Sequence, residues 1–586
     1  MKALESYHGA RTYRSYRSYR SYRWASAWAA AAVIAVAVAY TGMQPGTIYA
    51  AEDSLLGGKV TSASGEAVAG IPVRAHRDGS NITVSVYTDN SGEYSYPGWS
   101  DVTAGTYTVS IEEPDFQPVK KEGVALAAGK AQMVDFTVTS RTPPKELLRT
   151  TDILRGLPGT EEQKFLFSQC SNCHSLQWAL QRGRTREEWL RVVKRMAGAR
   201  RTNEVAPGSR AFDQKPYLEP MADYLTSIRG PKSSAEIPYN LRPRPTSEAS
   251  TRLVVTEYDV PRGGEFNIYR VRGDRSVVWP HDIVIDPDRK FAYYTDHFSY
   301  HLGRLNLQTG AVDELPFEIP RGAGRDAMAM PAGQGRAGNP GGGAHDIKID
   351  HEGRVVIGAG GAIIRYDPKT EQFQTWSPGD AMIGLPPDGN VWYMDDSVHM
   401  LNTSTGEVKT WKAPPHMGVY DVESDSQGRF IYNGWRDGRM GVFDPKTEKF
   451  RQYPVPTKGA GPRRGDVDAQ DRAWVGLYWA GRLARFDPTT GEIKEFPLVP
   501  DSKPFGAPFT APYSAAVDDK NQIVWTHDFN SSRIYKIDMK TGQPTEYYMP
   551  LPYEIRDMTV DEGAERPTVW IPTYRAPSKM VKVQIY

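Results

Sequence analysis

From residue 251 to residue 586 the chain repeats one pattern, and that repeat limits the fold more than any other feature. Each unit opens with a short strand and turns on an Asp/Gly corner such as Asp350-His351-Glu352-Gly353, Asp425-Ser426-Gln427-Gly428 or Asp561-Glu562-Gly563. An aromatic strand follows, then a third strand ending in Asp (Arg365-Tyr366-Asp367, Val442-Phe443-Asp444, Lys536-Ile537-Asp538), a turn, and a last strand before proline. Counting four residues back from each corner gives positions 282, 346, 384, 421, 466, 514 and 557, seven units spaced 37–64 residues apart. The last unit stops after its third strand, Val581-Lys582-Val583, while Val255-Thr256-Glu257-Tyr258-Asp259 near the start reads as an unattached fourth strand. Pairing the two ends closes a ring and removes its exposed edges. The expectation for 251–586 is a seven-bladed β-propeller, with the insertion Arg321 to Gly343 as a loop over one face.

The register also exposes a candidate site. Its seven equivalent positions are Asp282, Asp346, Gly384, Asp421, Asp466, Ser514 and Asp557, with His281, His345, Tyr420 and Arg556 beside them. Residues that open the innermost strands of a propeller face one mouth. The expected catalytic residues are His281, His345, Asp282 and Asp346. His281, His345, His297 and His527 are candidate ligands for a divalent metal (Mg, Fe or other), since imidazole and carboxylate on one axis suit such an ion. Crowded carboxylates would equally raise one another's pKa values and serve as acid and base, or simply cap strand ends. His301, His351, His399 and His416 are expected on the surface or in turns.

Upstream lie the only two cysteines of the chain, in Cys170-Ser171-Asn172-Cys173-His174. Two thiols at this spacing can each form a thioether to a haem vinyl group, and the adjacent imidazole then meets the iron. A redox dithiol does not call for the histidine, and a zinc site wants four ligands where no further cysteine exists. The expected cofactor is covalent haem c bound by Cys170, Cys173 and His174, with Met196 as sixth ligand and Met221 as its rival. Around the motif the reading is helical. Thr160 caps a helix with Glu161 and Glu162 in its first turn, a second helix starts near Thr185 with Trp189, Val192, Val193 and Met196 on one face, and a third runs from Tyr217 to Ile228 and ends at Gly230.

The remaining segments complete a multidomain, mainly β chain. Residues 1–50 combine an arginine-rich start (Arg11 to Arg23), an apolar run Trp24 to Ala39 and small residues at Ala50-Ala51, which reads as a signal peptide or an uncleaved N-terminal anchor. The apolar run is short against the roughly 20 residues of a full span. Residues 51–140 alternate in short runs with turn chemistry at Asp89-Asn90-Ser91-Gly92 and read as a small β-sandwich. Residues 141–235 form the α-helical cytochrome c domain, and 236–250, with Pro238, Pro243 and Pro245, form a linker. A net charge of +1 gives no case for nucleic acid.

Three resemblances attach to these segments. Gly58-Lys59-Val60, Gly70-Ile71-Pro72-Val73, Gly92-Glu93-Tyr94 and Ala104-Gly105-Thr106-Tyr107 resemble the carboxypeptidase regulatory-like domain, which implies a non-catalytic spacer or adhesion module. The helix before Gly230 resembles the last helix of class I cytochromes c, and Arg184 to Met196 is similar to haem domains of quinohaemoprotein dehydrogenases. The propeller repeat, as in Ile523-Val524-Trp525-Thr526 and Arg533 to Asp538, resembles the virginiamycin B (streptogramin) lyase family, which implies metal-assisted elimination at one mouth. Where that family tends to carry Trp-Phe-Thr-Glu, this chain has Trp525-Thr526-His527-Asp528.

The function expected is that of an exported c-type haem protein in electron transfer, the haem-bearing part of a periplasmic oxidoreductase whose propeller takes a small-molecule substrate or a redox partner protein. The alternative is a metal-dependent lyase with a fused cytochrome domain. The expected location is periplasmic or secreted, with no nucleic acid partner and with membrane contact only through an uncleaved N-terminus.

Overall fold

A computed structural model describes residues 54–586 except 173, 200–216, 266, 268–273, 275, 320–342, 360, 378, 380–381, 395–396, 415–418, 436, 501–502 and 576. Residues 1–50, expected to serve in targeting, Cys173, His416 and nearly all of the expected loop over the propeller face lie outside the described residues. The chain from Ala50 to Tyr586 forms one compact unit, and it is mainly β.

Six four-stranded antiparallel sheets follow one another from Pro280–Ile285 to Pro544–Tyr548. A seventh set of four is Thr559–Val560, Thr568–Pro572, Lys579–Ile585 and, returning to the start of the repeat, Leu253–Asp259. The innermost strands are Pro280–Ile285, Ala344–Ile349, Ile383–Gly384, Val419–Ser424, Pro462–Val467, Pro512–Asp518 and Thr559–Val560. Each packs on the next, and the last blade packs against the first. This is a seven-bladed propeller closed by two chain segments: Leu253–Asp259 runs antiparallel to Lys579–Ile585 from Ile585↔Leu253 to Lys579↔Asp259. Closure follows from the sequence because Val581 and Val583 share one buried face with Val255 and Leu253.

At the corners the N–H three residues on returns to the corner carbonyl, from Arg289 to Asp286, Gly353 to Asp350, Gly389 to Pro386, Gly428 to Asp425, Asp471 to Asp468 and Ala564 to Asp561. These bonds correct the register at two places. The fifth corner is Asp468, so the ring position four residues earlier is Arg464, not Asp466. The third corner is Pro386, which gives Met382 and not Gly384. The ladders agree, since Ile383 pairs with Tyr393 and Gly465 with Val475 just as Ile347 pairs with Ile357.

The N-terminal β domain has one sheet built on Leu56–Ser62 and a second made of Pro72–Arg77, Ile82–Tyr87, Gly105–Ile111 and Val119–Leu126. Val60, Val73, Val86, Tyr96 and Val109 fill the space between. The second sheet does not end at the domain boundary. Ile82–Tyr87 pairs antiparallel with Leu253–Asp259, from Ile82↔Tyr258 to Ser85↔Val255, so that the last blade and this sheet form one eight-stranded sheet. Across the seam Arg74 meets the fully buried Glu257 at 2.7 Å. A module expected as a spacer is thus fused to the propeller through backbone hydrogen bonds. Residues 236–250, expected as a linker, are pinned as well: Arg242 reaches Glu546 at 2.6 Å and Arg244 reaches Glu113 at 2.8 Å.

Between these β parts stand the helices Thr150–Gly156, Glu161–Ser168, Leu176–Ala179, Arg186–Ala199 and Leu218–Arg229. Thr160 caps its helix reciprocally, accepting the Gln163 N–H at 3.2 Å while the Gln163 side chain accepts the Thr160 N–H at 2.9 Å. Thr185 and Glu188 make the same box at the next long helix, 3.3 and 2.8 Å. The helices Thr150–Gly156 and Leu176–Ala179 were not anticipated. They are seven and four residues long, too short for the sequence period to declare itself. Their apolar faces share one core with the propeller residues Tyr478, Trp479, Phe509, Tyr513 and Phe529.

Candidate functional site

Two clusters of chemically competent side chains lie on the same side of the propeller. The first surrounds a cavity of about 430 Å³ among the helices, whose wall includes Cys170, His174, Met196 and Met221. Apolar side chains Phe167, Trp178, Trp189, Val193 and Leu225 complete most of it, with Arg182, Arg184 and Arg195 also on the lining. His174 is buried, its ring 4.6 Å from that of Trp178. Its Nδ1 donates to the Ser175 carbonyl oxygen at 3.0 Å, which fixes the tautomer and leaves Nε2 as the ring's acceptor nitrogen. Met196 and Met221 both reach the cavity, so the two rivals for the sixth position stay open.

The second cluster is the propeller mouth. In the outer layer His281 and His345 sit one residue before the ring positions, as expected, and the same station holds Tyr420, Arg463, Tyr513 and Arg556 on later blades. The His281 ring lies 3.9 Å from His345 and 4.8 Å from His297, centroid to centroid. One ligand atom from each of the three falls within 4.8 Å of the other two. His527 does not join them. It stacks on Tyr513 and its Nε2 lies 3.1 Å from Ser514 Oγ. Burial and the charges of Arg463 and Arg464 push His527 down to about 3.

One layer deeper, Asp282, Asp346, Asp421 and Asp557 surround the single guanidinium of Arg464. Asp282 receives two bonds from it at 2.6 Å, Asp346 one at 3.0 Å, and Asp557 and Asp421 stand 3.6 and 3.8 Å away. Asp282 also binds His281 Nδ1. Burial outweighs the arginine for the outer members: Asp421 is pushed up to about 6, and Asp346 and Asp557 are raised as well. Asp466 is not part of this group, since its carboxylate accepts the N–H groups of Val467 and Val517 at 2.8 and 2.9 Å.

Sequence reasoning missed Arg464, and a signal for it existed. Asp350…Arg354, Asp425…Arg429 and Asp468…Arg472 repeat the same corner pair, each with its arginine Nε bonded to the aspartate at 2.5–2.7 Å. Aligning on that Asp-x-x-x-Arg pair puts Arg464 in the ring. Arg463 was missed too; its guanidinium lies 3.6 Å over Tyr513 and 4.5 to 4.7 Å over Tyr420, Trp435 and Tyr478. Burial alone would raise Tyr420, but Arg463 and the hydrogen bond to Tyr513 bring it below its ordinary value.

Aromatic rings join the two clusters. Tyr513, 6.4 Å from His281, meets Tyr420 hydroxyl to hydroxyl at 2.5 Å; Tyr420 packs 5.0 Å from Trp435, and Trp435 stacks on Trp479 at 5.3 Å. Trp479 Nε1 donates at 3.1 Å to Gln169, the neighbour of Cys170 on the cavity wall.

Residues 56–139 match the carboxypeptidase regulatory-like domain family, so the N-terminal β domain is of that kind. No curated protein matches the chain. Similar solved structures include virginiamycin B lyase from Staphylococcus aureus, at 16% identity over 53% of this chain and 96% of that one with a TM-score of 0.43. A streptogramin B lyase gives 18% identity over 58% and 100%, TM-score 0.45. Hydrazine synthase of Kuenenia stuttgartiensis gives 11% over 53% and 98%, TM-score 0.42. Likeness at this level says nothing of this chain's chemistry.

Proposed function

We propose that this chain is an exported c-type haem protein acting in electron transfer, the haem-bearing part of a periplasmic oxidoreductase whose propeller mouth receives a substrate or a redox partner. The observation that carries the reading is the convergence of Cys170, His174, Met196 and Met221 on one largely apolar cavity. Bound there, haem c supplies one-electron chemistry at its iron. The chain's own part is to hold and orient. Cys170 and Cys173 are the thioether donors, the Ser175 carbonyl oxygen aims the His174 ring, and Met196 is the favoured thioether ligand. Arg182, Arg184 and Arg195 on the lining are cationic partners for a haem's carboxylates. Trp178, 4.6 Å from the His174 ring, covers the imidazole, and Trp189 lines the same cavity. Export is part of the proposal because haem c is attached outside the bacterial cytoplasm.

A lyase reading rests on the histidines of the mouth, yet His527 and Asp528, where the resembled family carries its Thr-Glu, are occupied otherwise. His527 meets Ser514, and Asp528 accepts the N–H groups of Ala511 and Asn530 at 2.9 and 3.0 Å. The deciding experiment is production alongside haem-attachment machinery, followed by acid–acetone extraction. Haem that stays with the wild-type polypeptide and is lost from a Cys170→Ala/Cys173→Ala double variant supports the proposal. Haem that extracts completely from the wild type sinks it.

A further inference from the structure

We propose that His281, His297 and His345 form a mononuclear site for a divalent transition metal such as zinc, with at least one coordination position open to an outside ligand. This site is separate from the haem cavity and does not depend on the haem reading.

Three observations on independent parts of the chain converge on it. The first is geometric. His281 lies on the inner strand Pro280–Ile285, His297 directly after the second strand Phe291–Asp296 of the same blade, and His345 on the inner strand Ala344–Ile349 of the next. Ligand atoms from all three fall within 4.8 Å of one another. A tetrahedral ion with metal–nitrogen bonds near 2.1 Å wants donors about 3.4 Å apart, so small ring rotations close the site.

The second is pre-organisation. The His297 N–H donates to the Trp279 carbonyl oxygen at 3.0 Å, and Thr295 Oγ1 donates to the His345 carbonyl oxygen at 2.9 Å, which ties the three backbone stations together across two blades. His281 is fully buried, with its Nδ1 on Asp282. A carboxylate behind the far ring nitrogen fixes the tautomer that presents Nε2 to a metal and raises its basicity. Asp282 is itself held by two bonds from Arg464.

The third is charge. Beneath the histidines Asp282, Asp346, Asp421 and Asp557 face Arg464, and Lys348 is paired with Glu423 at 2.6 Å. That layer carries five carboxyl groups against two cations, an acceptable floor for a divalent ion, while Glu554 beside the mouth is shared by Arg556 and Arg575 at 2.6 and 2.8 Å. Among the described residues the converging group is three imidazoles with no carboxylate, which selects borderline ions over magnesium or calcium, ions that prefer oxygen. Three protein ligands rather than four also leave a position for water or substrate, as catalytic sites do.

The test is zinc binding to the full-length protein after exhaustive chelation, with zinc counted by elemental analysis and haem counted separately by absorbance. The proposal expects one zinc per chain that millimolar magnesium does not displace. His345→Ala, at a half-exposed position, and His297→Gln should each weaken zinc at least a hundredfold with unchanged circular dichroism. Asp282→Asn, which replaces the orienting carboxylate by an amide and also weakens the pair with Arg464, should weaken it roughly ten- to a hundredfold. His527→Ala should leave it unchanged. Undiminished zinc in folded His345→Ala, or displacement by magnesium, would overturn the proposal. Because zinc and haem are read separately, a chain that binds zinc but no haem refutes only the electron-transfer reading.

Discussion

The cavity among the helices and the mouth of the propeller each hold a histidine whose Nδ1 is fixed by its very next neighbour in sequence. For His174 the acceptor is the backbone carbonyl of Ser175; for His281 it is the side chain of Asp282. The two sites differ in what surrounds that pair. Around His174 the chemistry is local: Cys170 is four residues away, and the other contributors come from two adjacent helices. Around His281 the chemistry is assembled from afar. Beside His297 of its own blade, its ring neighbours His345, Tyr513 and Tyr574 come from three other blades, and Arg464, the cation that binds Asp282, is 182 residues further on. A local site survives small errors in reading the fold, whereas an assembled site is only as good as the register that builds it.

That difference decided what could be read in advance. The five-residue Cys-x-x-Cys-His motif marked Cys170 and His174, which the structure brings to one cavity wall, and the capping signals at Thr160 and Thr185 placed two of the helices around it. The seven units and the closing strand were legible because each blade repeats the same alternation and its corner. The mouth was legible only in part. His281, His345 and the aspartates of four blades fall at the mouth, but a slip of two residues at one corner replaced Arg464 by Asp466 and turned a charge-compensated ring into one with five carboxylates and no cation. Side chains keep their strand face under a two-residue shift, so apolar alternation could not expose the error. His297 against His527 shows the same limit: both sit at second-strand ends, two residues out of phase, and only one meets His281 and His345.

The largest effect expected from this contrast is at Arg464. Arg464→Met leaves Asp282 and its companion carboxylates buried without their common cation, a loss on the order of 3–5 kcal/mol in urea unfolding. Arg464→Lys should fall between, because an ammonium cannot make the paired bonds to Asp282. Asp466→Asn, at the position the slipped register would have chosen, should cost only about 1 kcal/mol, since it disturbs two backbone hydrogen bonds and no ion pair. Equal losses for Arg464→Met and Asp466→Asn would erase the distinction.

On the local side the proposed haem sets Met196 against Met221 for its sixth ligand, and the expected effect is smaller. Met196→Ala should lower the reduction potential on the order of 0.1 V in the haem-loaded protein, whereas Met221→Ala should leave it near the wild-type value. Potentiometric titration of both variants decides it. The reverse ranking would give Met221 the iron, and no shift in either would remove methionine from the coordination sphere.

The smallest effect is a pair of opposed pH slopes inside the mouth. Asp421, raised to about 6 chiefly by burial, holds its proton in the folded state over a range where the unfolded chain, near 3.9, has released it. Its contribution to stability therefore declines as pH climbs from about 4 to about 6. His527, lowered to about 3 by burial and by Arg463 and Arg464, is neutral when folded but protonated when unfolded below about 6.5. Its contribution rises with pH across the same window. Each slope approaches one proton, about 1.4 kcal/mol per pH unit, and in the wild type the two largely cancel. Asp421→Asn should then leave a protein that loses stability on acidification from pH 6 to pH 4, while His527→Gln should leave one that gains it. Urea midpoints measured across that interval separate the variants. Parallel profiles would mean that the two groups do not titrate in the opposite senses that their surroundings dictate.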